Sequence, residues 1–491
     1  MQESKAIARV LSSGYLIDAK AFEMIGGLPE GVDADGFVER LLEQKAGAVG
    51  DAKVITESDV LKLIPHDKPT SQEKAPVLNS VELEVLSDPT PAIAPAEGPE
   101  GFGRLFHDRY RRLFSIVRER LDTKGSTTVS AAKNLAPGKK VKVAGLLSDR
   151  SSRHGVMELK VDDPTGTVKV VCQDPLAEKA ALEAPLDSMV VVEVARGKSK
   201  GLFTNSIVLP DVPGRHPVSF ATHRVYAVLL SDLHIGSRMF LSDDFGRFIR
   251  WLNGGFGDED VVDRVKYLVI AGDLVDGVGV YPGQEFQLVE RDPKKQYEMA
   301  SELLRKVPGH IQIVLSPGNH DAVRQALPQP AVAVDMAESL YAMDNVRWVG
   351  DPAYIKLHGV TFLIYHGKSL DDVIATTPNL AYDRPTDAMK LLLKARHLAP
   401  TYGKRTALSP ELRDYMVVDQ VPDVFHAGHV HTYGELVYRG TLLLNSGTWQ
   451  AQTSFQSNMG LEPTPSIVPI LDLSNLKVMR RNFGPAGFQT S

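Results

Sequence analysis

Val225-Tyr226-Ala227-Val228-Leu229-Leu230-Ser231-Asp232-Leu233-His234 joins a continuous apolar run to an Asp-x-His cluster. A run this short and this uninterrupted fits a strand covered on both faces. The join recurs along the chain. Residues 267–270 lead into Gly272-Asp273-Leu274-Val275-Asp276, and residues 311–315 into Gly318-Asn319-His320-Asp321. Residues 361–365 lead into His366-Gly367, and Gly428-His429-Val430-His431 closes the series. Helical segments separate the runs, so the region from residue 222 onward predicts a layered α/β domain. Open α/β sheets assemble their sites at the carboxyl ends of strands, which is where these clusters fall.

An isolated Asp-x-His is usually two ordinary loop residues, and a lone His366 would be a hydrogen-bonded core histidine. Five clusters in one order at strand ends form a constellation instead. Each has a glycine in or beside it, which lets backbone approach a buried ion closely. Cys172 is the only cysteine, so thiolate clusters and intramolecular disulfides are excluded and any metal must be held by His, Asp, Glu and Asn. Four histidines with carboxylates suit Mn²⁺, Fe²⁺, Zn²⁺ or Co²⁺ better than Mg²⁺ or Ca²⁺. Hydrolysis of a phosphodiester requires a strong nucleophile at neutral pH and compensation of growing phosphate charge. Two divalent ions about 3.5–4 Å apart supply both.

Working outward, residues 138–210 switch to short period-two runs. Strands are predicted at 141–147, 156–161, 167–172, 189–195 and 203–209, with a helix at 175–182 between the third and fourth. That is the plan of an OB-fold barrel. Its predicted strands hold one aromatic, Phe203, which favours packing over base stacking. Residues 104–121 read as one amphipathic helix, with Leu105, Tyr110, Leu113, Phe114, Val117 and Leu121 on its apolar side. Before it, residues 66–102 are rich in Pro, Ala, Glu and Ser and predict a flexible linker. Residues 1–65 carry helical spacing (Val10, Phe37, Val38, Leu41, Leu42, Val60) and predict a small helical domain. The expected boundaries are therefore 1–65, 66–102, 103–215 for helix plus OB-fold, and 216–491 for the α/β domain.

Apolar residues make up 43% and charged residues 24% of the 491, with a net charge of −6. This is a globular composition. It neither requires nor forbids a nucleic-acid partner, because a local basic patch can do that work. The polar N-terminus and the absence of long apolar stretches predict a cytoplasmic protein without membrane contact.

The motif order D-x-H, G-D-x-x-D, G-N-H-D, G-H-x-H over residues 225–450 resembles the calcineurin-like metallophosphoesterase superfamily. The resemblance implies a four-layer α/β/β/α fold and two divalent ions, Mn²⁺ foremost. One ion would take Asp232, His234 and His431, and the other Asn319, His366 and His429, with Asp273 bridging. His320 would protonate the leaving oxygen, with Asp321 orienting its ring. Asp276 fits the family spacing but stays outside the implied ligand set. Longer strings narrow the resemblance: 231–237, 276–284, 396–403 and Val421-Pro422-Asp423 are similar to stretches of the small subunits of archaeal family-D DNA polymerases, as is the domain order. This family implies a 3′→5′ exonuclease acting on single strands and mismatched primer ends, in complex with a large catalytic polymerase subunit. Related eukaryotic B-subunits have lost the ligands, which are all present here.

Residues 382–405 hold six basic side chains (Arg384, Lys390, Lys394, Arg396, Lys404, Arg405) against Asp383 and Asp387. They are expected to form either a solvated helix face or a surface tracking phosphate or docking the partner. Arg238 is a further candidate for phosphate contact. The competing readings are a stand-alone repair nuclease, a general phosphodiesterase of the same superfamily, and a scaffold that holds the polymerase subunit. The barrel preceding the catalytic region speaks against the first two.

Overall fold

The computed structural model describes residues 81–95, 98–197, 201–214 and 216–485, together with residues 10, 12–18, 21–22, 37–42, 54–56 and 59–60. The chain divides into two compact units, Met1–Leu78 and Asn79–Ser491. In the first, Val10, Ala21, Phe37, Val38, Leu41, Ile55 and Val60 form a small core. This unit is not purely helical: Leu16–Ile17 pairs in parallel with Val54–Ile55.

The expected flexible linker is corrected by strand β1 (Leu83–Ser87), which pairs antiparallel with a strand nearly 270 residues later in the sequence. Val81, Leu83 and Val85 pack against the central core, so alternate residues of this polar-looking stretch are drawn into a sheet edge. Residues 66–80 of the expected linker lie outside the described residues. Helix α1 (Gly98–Glu119) follows and buries Leu105, Tyr110, Leu113 and Val117.

The barrel closes in the order β2-β3-β4-β6-β5, formed by β2 (Lys140–Arg153), β3 (Val156–Asp163), β4 (Gly166–Cys172), β5 (Met189–Arg196) and β6 (Leu202–Val208). Helix α2 (Pro175–Glu183) lies between the third and fourth strands, its N-terminus capped by the Asp174 carboxylate. Barrel and α/β region belong to one unit rather than two. The Arg109 Nε of α1 donates to Asp414 Oδ2 at 2.7 Å and its Nη1 to the Pro400 carbonyl at 2.8 Å, both buried. Barrel residue Asp187 accepts from the Tyr402 N–H at 2.9 Å.

The α/β region stacks two six-stranded sheets. One runs β10-β9-β8-β7-β16-β17, from β7 (Tyr226–Leu230), β8 (Val265–Ala271), β9 (Gln312–Ser316), β10 (Val346–Trp348), β16 (Ile467–Asp472) and β17 (Lys477–Asn482). The other runs β14-β15-β13-β12-β11-β1, from β11 (Ala353–Leu357), β12 (Val360–Ile364), β13 (Val424–Ala427), β14 (Tyr433–Tyr438) and β15 (Thr441–Ser446). Alternation divides the first sheet's side chains. Tyr226, Val228 and Leu230 meet the helices Ser242–Leu252 and Pro293–Leu304, while Ala227 and Leu229 meet Ile355, Phe362 and Ile364 of the second sheet. The second sheet's outer face packs on α3 (Leu370–Thr376) and α4 (Pro385–Ala395). The layers are thus helix, sheet, sheet, helix. Among the described residues no helix is long and apolar enough to cross a membrane.

Strand β1 makes a stability prediction. A chain beginning at Asn79 should melt close to the full-length α/β unit, whereas one beginning at Gly103 loses β1 and bares a sheet edge. Removing Leu83 and Val85 from the core should cost on the order of 3 kcal/mol, allowing for their partial exposure. Thermal denaturation of the two truncated chains decides it, and equal melting temperatures would show that β1 contributes nothing.

Candidate metal centre

Strands β7, β8 and β9 are parallel neighbours, so the clusters after them sit along one edge. Strands β12 and β13 are also parallel and bring His366 and residues 428–431 to a second edge. Backbone bonds tie the loops together: Asp232 N–H to Gly272 O at 3.0 Å, His234 N–H to Asp273 O at 3.1 Å, and Gly428 N–H to His366 O at 2.9 Å. The His429 N–H reaches the Asp232 carboxylate at 2.9 and 3.1 Å.

All seven candidate ligands come together. His234 and His431 place their Nε2 atoms 3.0 Å apart, and Asp232 Oδ1 is 3.3 Å from the second. Asp273 Oδ2 lies 3.3 Å from His366 Nε2 and 3.7 Å from His234 Nε2, between the two groups. His366 Nε2 is 3.1 Å from Asn319 Oδ1. The His366 and His429 rings are 5.1 Å apart. Three sets of three donors, Asp232-His234-His431, His234-Asp273-His320 and Asp232-Asp273-His366, converge closely enough to share an ion. A Cβ at Gly318 would strike the Asp273 carboxylate, and one at Gly428 the Asp232 carboxylate, which accounts for glycine at both places.

Five of these residues have left-handed backbone: Asp232, His234 and Asp273 at φ 52°, His429 at 71° and His431 at 58°. Such conformations cost roughly 1 kcal/mol or more each in non-glycine residues and persist where the surroundings over-determine them. Here they turn side chains at strand ends inward.

Burial opposes charge throughout the site, and local pairing decides the outcome. Burial pushes Asp273 up, but His366, His320 and His234 outweigh it and hold the carboxyl well below the usual range. Asp232 is also lowered, against burial, by His431 and His366. In return, the carboxylates raise His234 to about 9 and His366 to about 10 despite desolvation. Buried carboxylates thus create a demand for positive charge that protonated histidines meet, and an entering cation must displace those protons. The donor set and the glycine approaches fit divalent ions. Asp232, His234 and His431 would hold one and Asn319, His366 and His429 the other, with Asp273 shared.

Several expectations change. Asp321 does not orient His320: its carboxylate accepts from the Gly318 N–H at 2.8 Å, the Tyr297 hydroxyl at 3.0 Å and two further backbone amides, bracing the motif loops. Burial and Asp273 raise Asp321 to about 6. The His320 Nδ1–H instead donates to the Asp276 carbonyl at 2.7 Å, and its own N–H to Asp273 Oδ1 at 2.8 Å. The Asp276 carboxylate holds His234 Nδ1 at 2.9 Å and is braced by Gln284 and Gln450.

Of the basic candidates, only Arg405 lines the cleft, beside Tyr281, Tyr382, Met459 and Leu461. Arg396 is corrected: it is buried at the left-handed C-cap of α4, and its Nε donates to the Val418 carbonyl at 2.7 Å. Lys390 and Lys394 line a separate groove beside the barrel with Arg120, Asp211 and Arg439. Arg238 and Lys404 are exposed outside the cleft lining. Two participants have no sequence signal. Asp371 reaches His429 from α3, and Gln456 reaches His431 from α5 (Ser454–Asn458). Neither stands in a motif.

Residues 227–434 match the family model for the B-subunits of DNA polymerases alpha and epsilon. A relative from Archaeoglobus fulgidus, the DNA polymerase II small subunit, is 40% identical over 94% of this chain and 94% of its own length. The Pyrococcus furiosus protein of the same name is 40% identical over 78% of this chain and 63% of that one. The Halobacterium salinarum protein is 35% identical over 98% and 99%. With motif order, strand-end geometry and relatives all in agreement, the chain belongs to the small-subunit family of archaeal family-D DNA polymerase, also called DNA polymerase II.

Proposed function

We propose that this chain is a metal-dependent 3′→5′ exonuclease that trims DNA ends within a DNA polymerase complex. The observation that carries the reading is the convergence of His234, Asp273, Asn319, His429 and His431 on one cleft, with Asp232 and His366 buried directly behind them and His320 on its wall. Divalent ions, Mn²⁺ foremost, would when bound offset phosphate charge and lower the pKa of water. The remaining work falls to side chains. Arg405 faces the cleft as a phosphate contact. Asp276 and Asp273 hold the His320 ring and main chain so that its Nε2 is available to the leaving oxygen. The cleft has a volume of about 380 Å³, within the usual range of small-ligand pockets.

The five-stranded barrel is read as an OB-fold serving protein contact rather than base stacking. Together with the α/β region it would dock a large polymerase subunit. Purified protein should degrade 3′-labelled single-stranded DNA with Mn²⁺, stop with chelator, and recover on Mn²⁺ addition. Chelator-resistant digestion, or shortening from the 5′ end, would defeat the reading. Failure to co-elute with the large subunit of the same genome would leave a stand-alone nuclease.

A further inference from the structure

Each of the four clustered histidines has one ring nitrogen held from outside the cluster, and for three of them the holder is an acceptor that determines which nitrogen is left. Asp276 accepts from His234 Nδ1 at 2.9 Å and the Ala271 carbonyl from His366 Nδ1 at 3.0 Å, so both rings keep Nε2 for the cluster. His431 differs from these two: the Gln456 side-chain N–H donates to its Nδ1 at 2.8 Å, so no acceptor fixes the tautomer of that ring. His429 is reversed: its Nε2 lies 3.1 Å from Asp371 Oδ2. An ionised carboxylate only accepts, so His429 Nε2 bears the proton and Nδ1 keeps the lone pair. Nδ1 is the ring nitrogen nearer the main chain, and that main chain is pinned by the Asp232 carboxylate.

We infer that Asp371 is a positioning residue that locks His429 in the Nε2–H tautomer, leaving the Nδ1 lone pair free, and so completes one of the two metal positions. The inference rests on the two-ion reading above. Both oxygens of Asp371 are committed, because the Tyr382 hydroxyl donates to Oδ1 at 2.9 Å, and this fixes the carboxylate plane against the imidazole. Asp371 and Tyr382 both line the cleft, so the brace stands at the wall of the site and not deep in the core. Carboxylates behind metal-binding histidines raise ligand basicity and fix ring orientation, and losing one typically weakens metal binding about 10–100-fold.

Asp371→Asn keeps the shape but can donate as well as accept, so it no longer forces the tautomer. Titration calorimetry of the full chain with Mn²⁺ alone should show two ions on the wild type. In Asp371→Asn one should be unchanged and one weakened about 10–100-fold. Tyr382→Phe should weaken the same ion by a smaller factor. Metal-free melting of Asp371→Asn should stay within about 3 °C of wild type. With Zn²⁺, nitrogen NMR of the wild-type His429 ring should report coordination through Nδ1. Two unchanged Mn²⁺ affinities in Asp371→Asn would overturn this inference alone, as would Nε2 coordination or a metal-free melting loss large enough to make the role structural. Fewer than two ions on the wild type would overturn the two-ion reading and this inference together.

Discussion

Asp273→Asn should abolish nuclease activity and metal occupancy together while leaving the fold intact. The carboxylate stands between the two donor groups, 3.3 Å from His366 Nε2 and 3.7 Å from His234 Nε2, and its other oxygen accepts the His320 N–H at 2.8 Å. A neutral amide of the same shape removes the negative charge shared by both positions, so each ion loses a donor and their mutual repulsion goes uncompensated. The loss should exceed the 10–100-fold typical of removing an outer hydrogen-bond partner, reaching on the order of 10³-fold or more in rate. Stability should fall as well. In metal-free protein the Asp273 carboxylate is held charged by His366, His320 and His234, so its neutralisation removes that pairing and should lower the metal-free melting temperature. Elemental analysis and melting curves separate these effects. Two ions per chain in an inactive, folded Asp273→Asn would rule out the bridging role.

The part of this architecture legible in sequence is the part in which burial writes a pattern. Residues 226–230 are apolar without interruption because both faces of β7 are covered, and four of the barrel strands are legible to within two residues because their alternation tracks inside and outside, while β2 continues past the expected residue 147 to Arg153. The polar clusters are legible for a different reason: they recur at strand ends with restricted residue types, while which of their members would be ligands is implied only by the family resemblance. What escapes depends on tertiary neighbours. Strand β1 hides in a Pro- and Glu-rich stretch because an edge strand needs only alternate apolar residues, here Leu83 and Val85. The cationic segment 382–405 reads as one surface in sequence, yet folding divides it among a cleft wall at Arg405, a groove at Lys390 and Lys394, and a buried cap at Arg396. The adjacency of His320 and Asp321 suggests a pair, but the two side chains point to different partners. Asp371 and Gln456 escape because what orients a histidine is proximity in space, and neither residue shares a motif with the ring it holds.

His320→Ala should lower the rate on DNA by about 10²–10⁴-fold while leaving two ions bound, the signature of a lost proton donor. The ring is well placed for proton donation, because Nδ1 is engaged with the Asp276 carbonyl at 2.7 Å and Nε2 is left as the working nitrogen. It lines the cleft at 4.6 Å from the His234 ring, within reach of an ion shared with His234 and Asp273, but it stands outside the seven-residue ligand set that the family resemblance implies. Burial lowers its pKa, partly offset by Asp273 and Asp276, so it holds a proton weakly in the free protein. A bound phosphodiester brings a negative charge to the same cleft and favours the imidazolium when the acid is required. The decisive comparison is between leaving groups. A nitrophenyl phosphodiester expels an anion that needs little protonation, so His320→Ala should lose much less on that substrate than on DNA. Equal losses on both substrates, or metal loss comparable to Asp273→Asn, would mean that His320 acts as a ligand or a structural residue.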